Sequence, residues 1–352
     1  MSVDLGLLLQ SAHVAFTNGQ IQHGLFSLNY AIRLAGGTFP PDLPFDSAIA
    51  LDVGFVREAQ EDCIFALQGT FPGTRDAFGL LIVCDGMGGH ANGQEAARLA
   101  IETMVESIFP SLVGGKAACH DYLCMLTEGV QVANRAVYLR NQSFQQAKEM
   151  EAAQYADNTS TAQASLMGTT VTAALISRDT AYVANVGDSR TYLYHPETGL
   201  HRITNDHSVV ANLFHLADSR RMTPEEIYTH PQRNQILRAL GIDATIEVDT
   251  FVVPVPEEAI LLLCSDGLWE MTRDPQIEAV LRWNRASASS MANRLVALAR
   301  EGGARDNIGL IVVQISGRQK QHNSSDMATL IQPVEALTRL VPPSPSASSP
   351  FR

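Results

Sequence analysis

Positive charge is scarce in this chain. Lys and Arg number 25 against 37 Asp and Glu, a net charge of −12, and the pI is about 5.3. Nucleic acid and anionic membrane surfaces call for a basic face, so neither is an expected partner. Cysteine is sparse and odd in number: the five, at 63, 84, 119, 124 and 264, include no CxxC pair. Neither a disulfide framework nor a cysteine zinc site is suggested. Cys84 and Cys264, set in apolar runs, read as small core residues. No apolar run is long enough to span a bilayer. The N-terminal LGLLL is too short for a signal core, and no Lys or Arg precedes Arg33. A reducing, cytoplasmic compartment is therefore expected. GxxxxGK[ST], GxSxG and HExxH are also missing. Their absence removes the phosphate loop, the hydrolase elbow and the zinc-protease helix.

What is there is ordinary globular material. Of 352 residues, 45% are hydrophobic and 18% charged, enough for one large domain or two ordinary ones. Residues 1–45 hold few charges, close on TFPPDLPFD, and read as an N-terminal extension. Dense patterning covers 46–316. From 317 to 352 the chain is Pro- and Ser-rich and reads as a flexible tail. SAIALDVGF, DCIFALQ, AFGLLIVCD, GTTVTAALIS, DTAYVANVG, SRTYLYH, ATIEVDTFVV, AILLLCSD and NIGLIVVQI read as strands. Helices are expected over Asn92–Ile108, with Asn92 as cap and Glu95 three residues on, and over Ala117–Arg140. Two more fall around Pro275–Arg282 and over Ala288–Arg300. Residues 141–165, rich in Gln, Ala, Ser and Thr, read as a helix end plus loop. SVVANLFHLADS and TPEEIYTH read as short helices, the latter capped by Thr223, and Arg178-Asp179 as a hairpin turn. Strand meanders with helix pairs between them imply an α+β fold of antiparallel sheets covered by helices.

Acids stand where the apolar strands end. In GLLIVCDGMGGHANG the run Leu80 to Cys84 leads straight into Asp85, and in AILLLCSDGLWE the strand leads into Asp266. Asp306 precedes the strand in GGARDNIGLIVV, as Glu61 and Asp62 do in VREAQEDCIFAL. A carboxylate at the mouth of an apolar core is costly unless paired. If the four segments meet, four carboxylates make six repulsive pairs, each about 4 kcal/mol at 4 Å and an effective dielectric of 20. Two divalent cations cancel that charge. An all-oxygen set with no His or Cys nearby suits Mg²⁺ or Mn²⁺. Such a pair can hold a bridging water as hydroxide near neutral pH, a nucleophile for phosphorus. Taken singly, an Asp-Gly after a strand is only a turn, and spacing alone does not bring the four together. Gly86 to Ala91 also fit G-x-G-x-x-A, but Asp85 would repel a pyrophosphate there.

Eight blocks occur in order between Ile49 and Ile315: VREAQED, CDGMGGHANGQEAA, MGTTVTAAL, VANVGDSRTYLY, DHSVV, THPQRNQILRALG, LLCSDGLWEM and RDNIGLIVV. Together they resemble the bacterial branch of the metal-dependent PPM (PP2C-type) protein serine/threonine phosphatases. The resemblance implies a four-layer α-β-β-α sandwich, two central antiparallel sheets flanked by helices, with metals at one end. It implies a hydrolase of phosphoserine and phosphothreonine that works by attack of a dimetal-bridging hydroxide. Two Mn²⁺ or Mg²⁺ ions are implied, with a third, weaker one. Carried over residue by residue, Asp85 bridges both metals, and the Gly86 carbonyl and Glu61 reach the second. Asp62 lies in the outer coordination sphere, and Asp266 and Asp306 hold the first. Asp188 falls at the third-metal position, where the residues alone read as a turn aspartate. Arg57 binds the substrate phosphate, and the stretch from His207 to Asn234 matches a mobile flap.

Three positions depart from the family pattern. Gln60 stands where Asn is usual, and Gly309 where Thr is usual. Met87 occupies the place of the His proposed as general acid in eukaryotic relatives, as in bacterial members. The proton donor to the leaving alkoxide is left open among a water on the metal, His90 and His207. Gln60 is the one residue that favours a pseudophosphatase, a module binding phosphoproteins without turnover. Hydrolysis of a small phosphoester shares the same site. The expected partners are phosphoserine and phosphothreonine proteins, including a bacterial serine/threonine kinase and its substrates, with the enzyme itself a monomer.

Overall fold

A strand with apolar side chains on both faces must be covered on both. The computed structural model describes residues 45–71, 76–89, 91–113, 122–155, 166–211, 226, 230–232, 235–282 and 287–315. All eight residues of β3 (Ala77–Cys84) are buried in it. Phe78, Leu80, Ile82 and Cys84 face one way, into a core shared with helices. Leu81 and Val83 face the other, into a core shared with a second sheet. Full burial of each such side chain contributes about 1.5–3 kcal/mol.

That alternation builds two five-stranded antiparallel sheets. One runs in the order β10 (Asp249–Pro254), β7 (Thr180–Val186), β6 (Val171–Ser177), β3, β2 (Cys63–Thr70). The other runs β1 (Phe45–Asp52), β12 (Ile308–Ile315), β11 (Ile260–Cys264), β8 (Arg190–His195), β9 (Gly199–Arg202). Leu261, Leu263, Ile311 and Val313 meet Leu81, Val83, Ala174 and Val183 between the sheets. On the outer faces, α1 (Ala91–Val113) and α2 (Tyr122–Tyr155) cover the β3 sheet through Ala97, Met104, Leu126 and Val130. The β11 sheet is covered by α3 (Asp266–Trp269), α4 (Asp274–Leu281) and α5 (Ala288–Glu301), through Leu268, Ile277, Met291 and Leu295. This is the four-layer α-β-β-α sandwich. A two-residue ribbon, β4 (Gly86–Met87) with β5 (Gly168–Thr169), follows the exit of β3 and is largely buried. No helix among the described residues is long and apolar enough to cross a membrane.

Several local expectations change. Asn92 is not a cap: α1 begins at Ala91, and the Asn92 N–H donates to the Gly89 carbonyl at 3.2 Å. Glu95 turns outward to Arg140 at 2.7 Å. The same helix runs past Ile108 and Pro110 to Val113, because Phe109 and Leu112 are fully buried and outweigh the one amide that Pro removes. Residues 141–155 are helical in α2 rather than loop. Gln, Ala, Glu, Met and Lys are strong helix formers, and the long preceding helix has already met the nucleation cost. Residues 244–248 do not join β10. The Arg178-Asp179 hairpin stands, with Arg178 at φ 58° between the paired Ser177 and Thr180. The N-terminal extension up to residue 44, the loop end at 156–165, the TPEEIYTH cap, His90 and the 317–352 tail lie outside the described residues, as does most of the 207–234 flap.

Candidate active site

The ends of β3, β7 and β11 and the starts of β2 and β12 open at one end of the sandwich, and each carries an acid. Asp62 is 1% exposed, and the Ser265 hydroxyl donates to its Oδ2 at 2.6 Å. The Gly309 N–H donates to that same hydroxyl at 2.9 Å. Ser265 thus ties the entrance of β2 to the exit of β11 and the start of β12. A Cβ on Gly309 would stand 3.0 Å from Asp62 Oδ2, so the departure from Thr makes room for this carboxylate. Asp85 is held through its backbone. Its N–H donates to Thr170 Oγ1 at 3.1 Å, and its carbonyl accepts from the Thr170 N–H and the Thr169 hydroxyl, both at 2.9 Å. Its carboxylate is thereby left to the site.

Glu61 is buried, and its N–H donates to Asn307 Oδ1 at 2.7 Å. Its carboxylate lies over the start of α1, where any side chain on Gly93 would collide with Oε2. A side chain on Gly86 would collide with the Glu61 and Gly93 carbonyls, so this corner is closed by backbone. Asp266 begins α3, and Asp306 precedes β12 with Oδ1 accepting from the Asn307 N–H at 2.8 Å. Asp306 Oδ2 pairs with Arg57 Nη2 at 2.6 Å, the guanidinium being about half exposed. Gln60 Oε1 accepts from the Asp62 N–H at 3.1 Å, so the longer side chain bonds the loop that carries Glu61 and Asp62.

Asp188 is 1% exposed and sits between strands of different sheets. The turn read between two strands is therefore no hairpin: β7 leaves one sheet and β8 enters the other. The Trp269 indole N–H donates to the Asp188 carbonyl at 3.0 Å, and the Arg190 guanidinium stacks 3.6 Å over the same indole. His207 Nδ1 accepts from the Gly187 N–H at 3.1 Å, and Nε2 stands 3.2 Å from Asp249 Oδ2. Its ring braces the turn.

Electrostatics shows that these acids share one place. Burial pushes the Asp85 carboxyl well above the usual range, and the charges of Asp62, Asp266, Asp188 and Asp306 push it further. Burial does the same to Asp266, with Asp188, Asp306, Glu270 and Asp62 adding to it. Asp62 is raised by burial to about 7 in spite of the Ser265 hydroxyl, and Asp188 by burial and then Asp206, also to about 7. Oδ1 of Asp188 and Oδ1 of Asp266 are buried without a hydrogen-bond partner. Orphaned carboxylate oxygens in an all-oxygen set that repels itself fit hard divalent cations. Among the described residues no three of these side chains close into a cage at ligand distance.

Carboxyls raised from 3.8 to about 7 on folding bind protons that the unfolded chain releases. Stability from these groups is therefore greatest at low pH and is lost as pH rises from about 4 through 7. In EDTA the melting temperature is expected to be several degrees lower at pH 8 than at pH 5.5, and Mn²⁺ should raise it more at pH 8. Calorimetry at both pH values checks this; a metal-free protein equally stable at both would show that the acids do not crowd.

Sequence reasoning does not reach Ser265, Thr169, Thr170 and Asn307 as site residues. Each stands beside an anticipated acid or within a motif block, but their partners lie up to 254 residues away in sequence.

The chain belongs to the protein phosphatase 2C family, whose model matches residues 70–306. It is 32% identical over 274 residues to the serine/threonine phosphatase Stp of Listeria welshimeri, covering 78% of this chain and 97% of that one. The crystal structure of the Mycobacterium tuberculosis serine/threonine phosphatase PstP/Ppp superposes with a TM-score of 0.61 at 32% identity, over 78% of this chain and 99% of that one. The PstP catalytic domain solved in complex with two manganese ions gives 0.59 at 29% identity, with 78% and 99% covered.

Proposed function

We propose that this chain is a metal-dependent phosphatase of phosphoserine and phosphothreonine in proteins, with its catalytic unit in residues 46–316 and its place of work the cytoplasm. The observation that carries this reading is the meeting of Asp62, Asp85, Asp188, Asp266 and Asp306 at one end of the sandwich, with orphaned oxygens on two of them. Asp85, Glu61, the Gly86 carbonyl, Asp266 and Asp306 would hold two Mn²⁺ or Mg²⁺ ions, Asp62 would support them from behind, and Asp188 would serve a third. When bound, the ions supply positive charge at the phosphoryl oxygens and activate a water.

The chain's own residues do the rest. Thr169 and Thr170 fix the Asp85 backbone, and Ser265 orients Asp62. Arg57, half exposed and pointing at Asp306, is the cation placed to grip a phosphate at the mouth. Arg57→Ala is expected to raise KM for a phosphopeptide and to cut kcat/KM by about 10- to 100-fold, the worth of a charged hydrogen bond. Unchanged steady-state kinetics would return Arg57 to the role of a surface ion pair.

Phosphate release from phosphothreonine and phosphoserine peptides in Mn²⁺ tests the reading, with a phosphotyrosine peptide and p-nitrophenyl phosphate alongside. Turnover of the first two is expected. Tight peptide binding without release would instead favour a pseudophosphatase, and release from p-nitrophenyl phosphate alone a small-phosphoester hydrolase. The substrates in the cell are inferred to be those of a serine/threonine kinase, met by a monomeric enzyme.

A further inference from the structure

Phe55 and Val56 immediately precede Arg57, and they are 59% and 67% exposed. Among the described residues no other two exposed large hydrophobics are neighbours in sequence. Scattered apolar residues on a surface call for no explanation, but a contiguous pair beside a binding group does. Nor is this a slack loop with side chains adrift. The Asn307 amide donates to the carbonyls of Val53 at 2.9 Å and Ala59 at 3.0 Å, clamping both ends of the segment. The Phe55 N–H donates to the Ala304 carbonyl at 2.7 Å. The Arg300 guanidinium sits 4.8 Å from the Phe55 ring centre and is itself anchored on Asp52 at 2.7 Å. The segment is thus clamped at both ends with Phe55 and Val56 exposed on it, beside the arginine proposed to grip the phosphate.

We infer that Phe55 and Val56 form a shelf that takes an apolar side chain of the phosphoprotein substrate, so that the enzyme prefers phosphosites with an apolar neighbour. This rests on the phosphoprotein phosphatase reading and on Arg57 as the phosphate contact. The occupant follows from continuity. A substrate phosphate bound at Arg57 places its own chain across the adjoining residues. An extended peptide advances about 3.3 Å per residue, so a shelf one and two residues from Arg57 is reached by a side chain one to three positions from the phosphoresidue. A preformed, rigid apolar surface binds without an ordering cost of its own. The acids that crowd the site also disfavour an acidic side chain close to the phosphoresidue.

The test compares two phosphothreonine peptides that differ only in flanking residues, Leu and Val in one, Asp and Ser in the other. The ratio of their kcat/KM values is measured for the wild type and for Phe55→Ser/Val56→Thr. The wild type is expected to favour the apolar peptide about tenfold, and the variant to lose most of that ratio. Phe55→Leu should keep it, which separates apolar contact from a folding defect. A wild-type ratio near one overturns the inference, as does a variant that slows on both peptides alike with its ratio intact. A wild-type dimer in light scattering that dissociates in the variant also overturns it, because the shelf then serves a second copy of this chain. Hydrolysis of p-nitrophenyl phosphate without either peptide would fail the phosphoprotein reading itself and remove the shelf's occupant.

Discussion

Stripping divalent cations with EDTA, or replacing Asp85 by Ala, is expected to lower phosphopeptide turnover by on the order of a thousandfold. Burial raises the Asp85 carboxyl, and the charges of Asp62, Asp266, Asp188 and Asp306 raise it further. A cation bound there offsets that repulsion. Take the carboxylate away and the negative charge that would hold the metals falls. The fold should survive. Asp85 is fixed by its backbone bonds to Thr169 and Thr170, which Ala retains. Removing one buried like charge should leave the metal-free melting temperature equal to or above that of the wild type. The assay is phosphate release in Mn²⁺, with calorimetry in EDTA on the same samples. EDTA inhibition should reverse on adding Mn²⁺. An Asp85→Ala enzyme keeping more than a tenth of the wild-type rate, or full activity after dialysis against EDTA, would end the two-metal reading.

Asp206→Ala is expected to destabilise the protein by about 3–5 kcal/mol, the cost of leaving a buried charge without its partner, or about 10 °C in melting temperature. Arg190 and Asp206 are 3% and 7% exposed at their side chains and pair twice, at 2.9 and 2.6 Å. Arg202 adds a third contact at 3.0 Å. Burial alone would push the Asp206 carboxyl up, but Arg190 outweighs it and holds the group below its ordinary 3.8. The sign follows: this stability is present above the unfolded value and is lost as pH falls through the folded one. The deficit of the variant should therefore be full at pH 7 and shrink in acid below about 4. Arg190→Met/Asp206→Leu should recover much of the loss, since an apolar pair carries no desolvation cost. Thermal melts of the three proteins at pH 7 decide it. A single variant within about 1 kcal/mol of wild type would mean that water reaches the pair.

Because Trp269 lies under Arg190 and bonds the Asp188 carbonyl, this buried pair also supports the turn at the site. No sequence pattern pointed to it. Arg190 and Asp206 are 16 residues apart, one on β8 and the other beyond β9.

What the sequence by itself determined was the position of most strands and of the acids beside them. Near-continuous apolar runs mark β3, β6, β11 and β12 because successive side chains on a strand face opposite layers and both layers are covered here. The two-residue Arg178-Asp179 connection marks its hairpin, and the placing of acids against apolar runs marks Glu61, Asp62, Asp85, Asp266 and Asp306 as one chemical set. Only the tertiary structure decided that the set converges. β2 and β3 belong to one sheet and β11 and β12 to the other, so the acids meet only because the two sheets share an open end. It also decided that Asp188 lies on a crossover between sheets, that Ser265 orients Asp62 across 203 residues of sequence, and that Arg57 faces Asp306 across 249. Such contacts depend on which layers pack together, and packing is settled by burial summed over the whole core rather than by any local spacing.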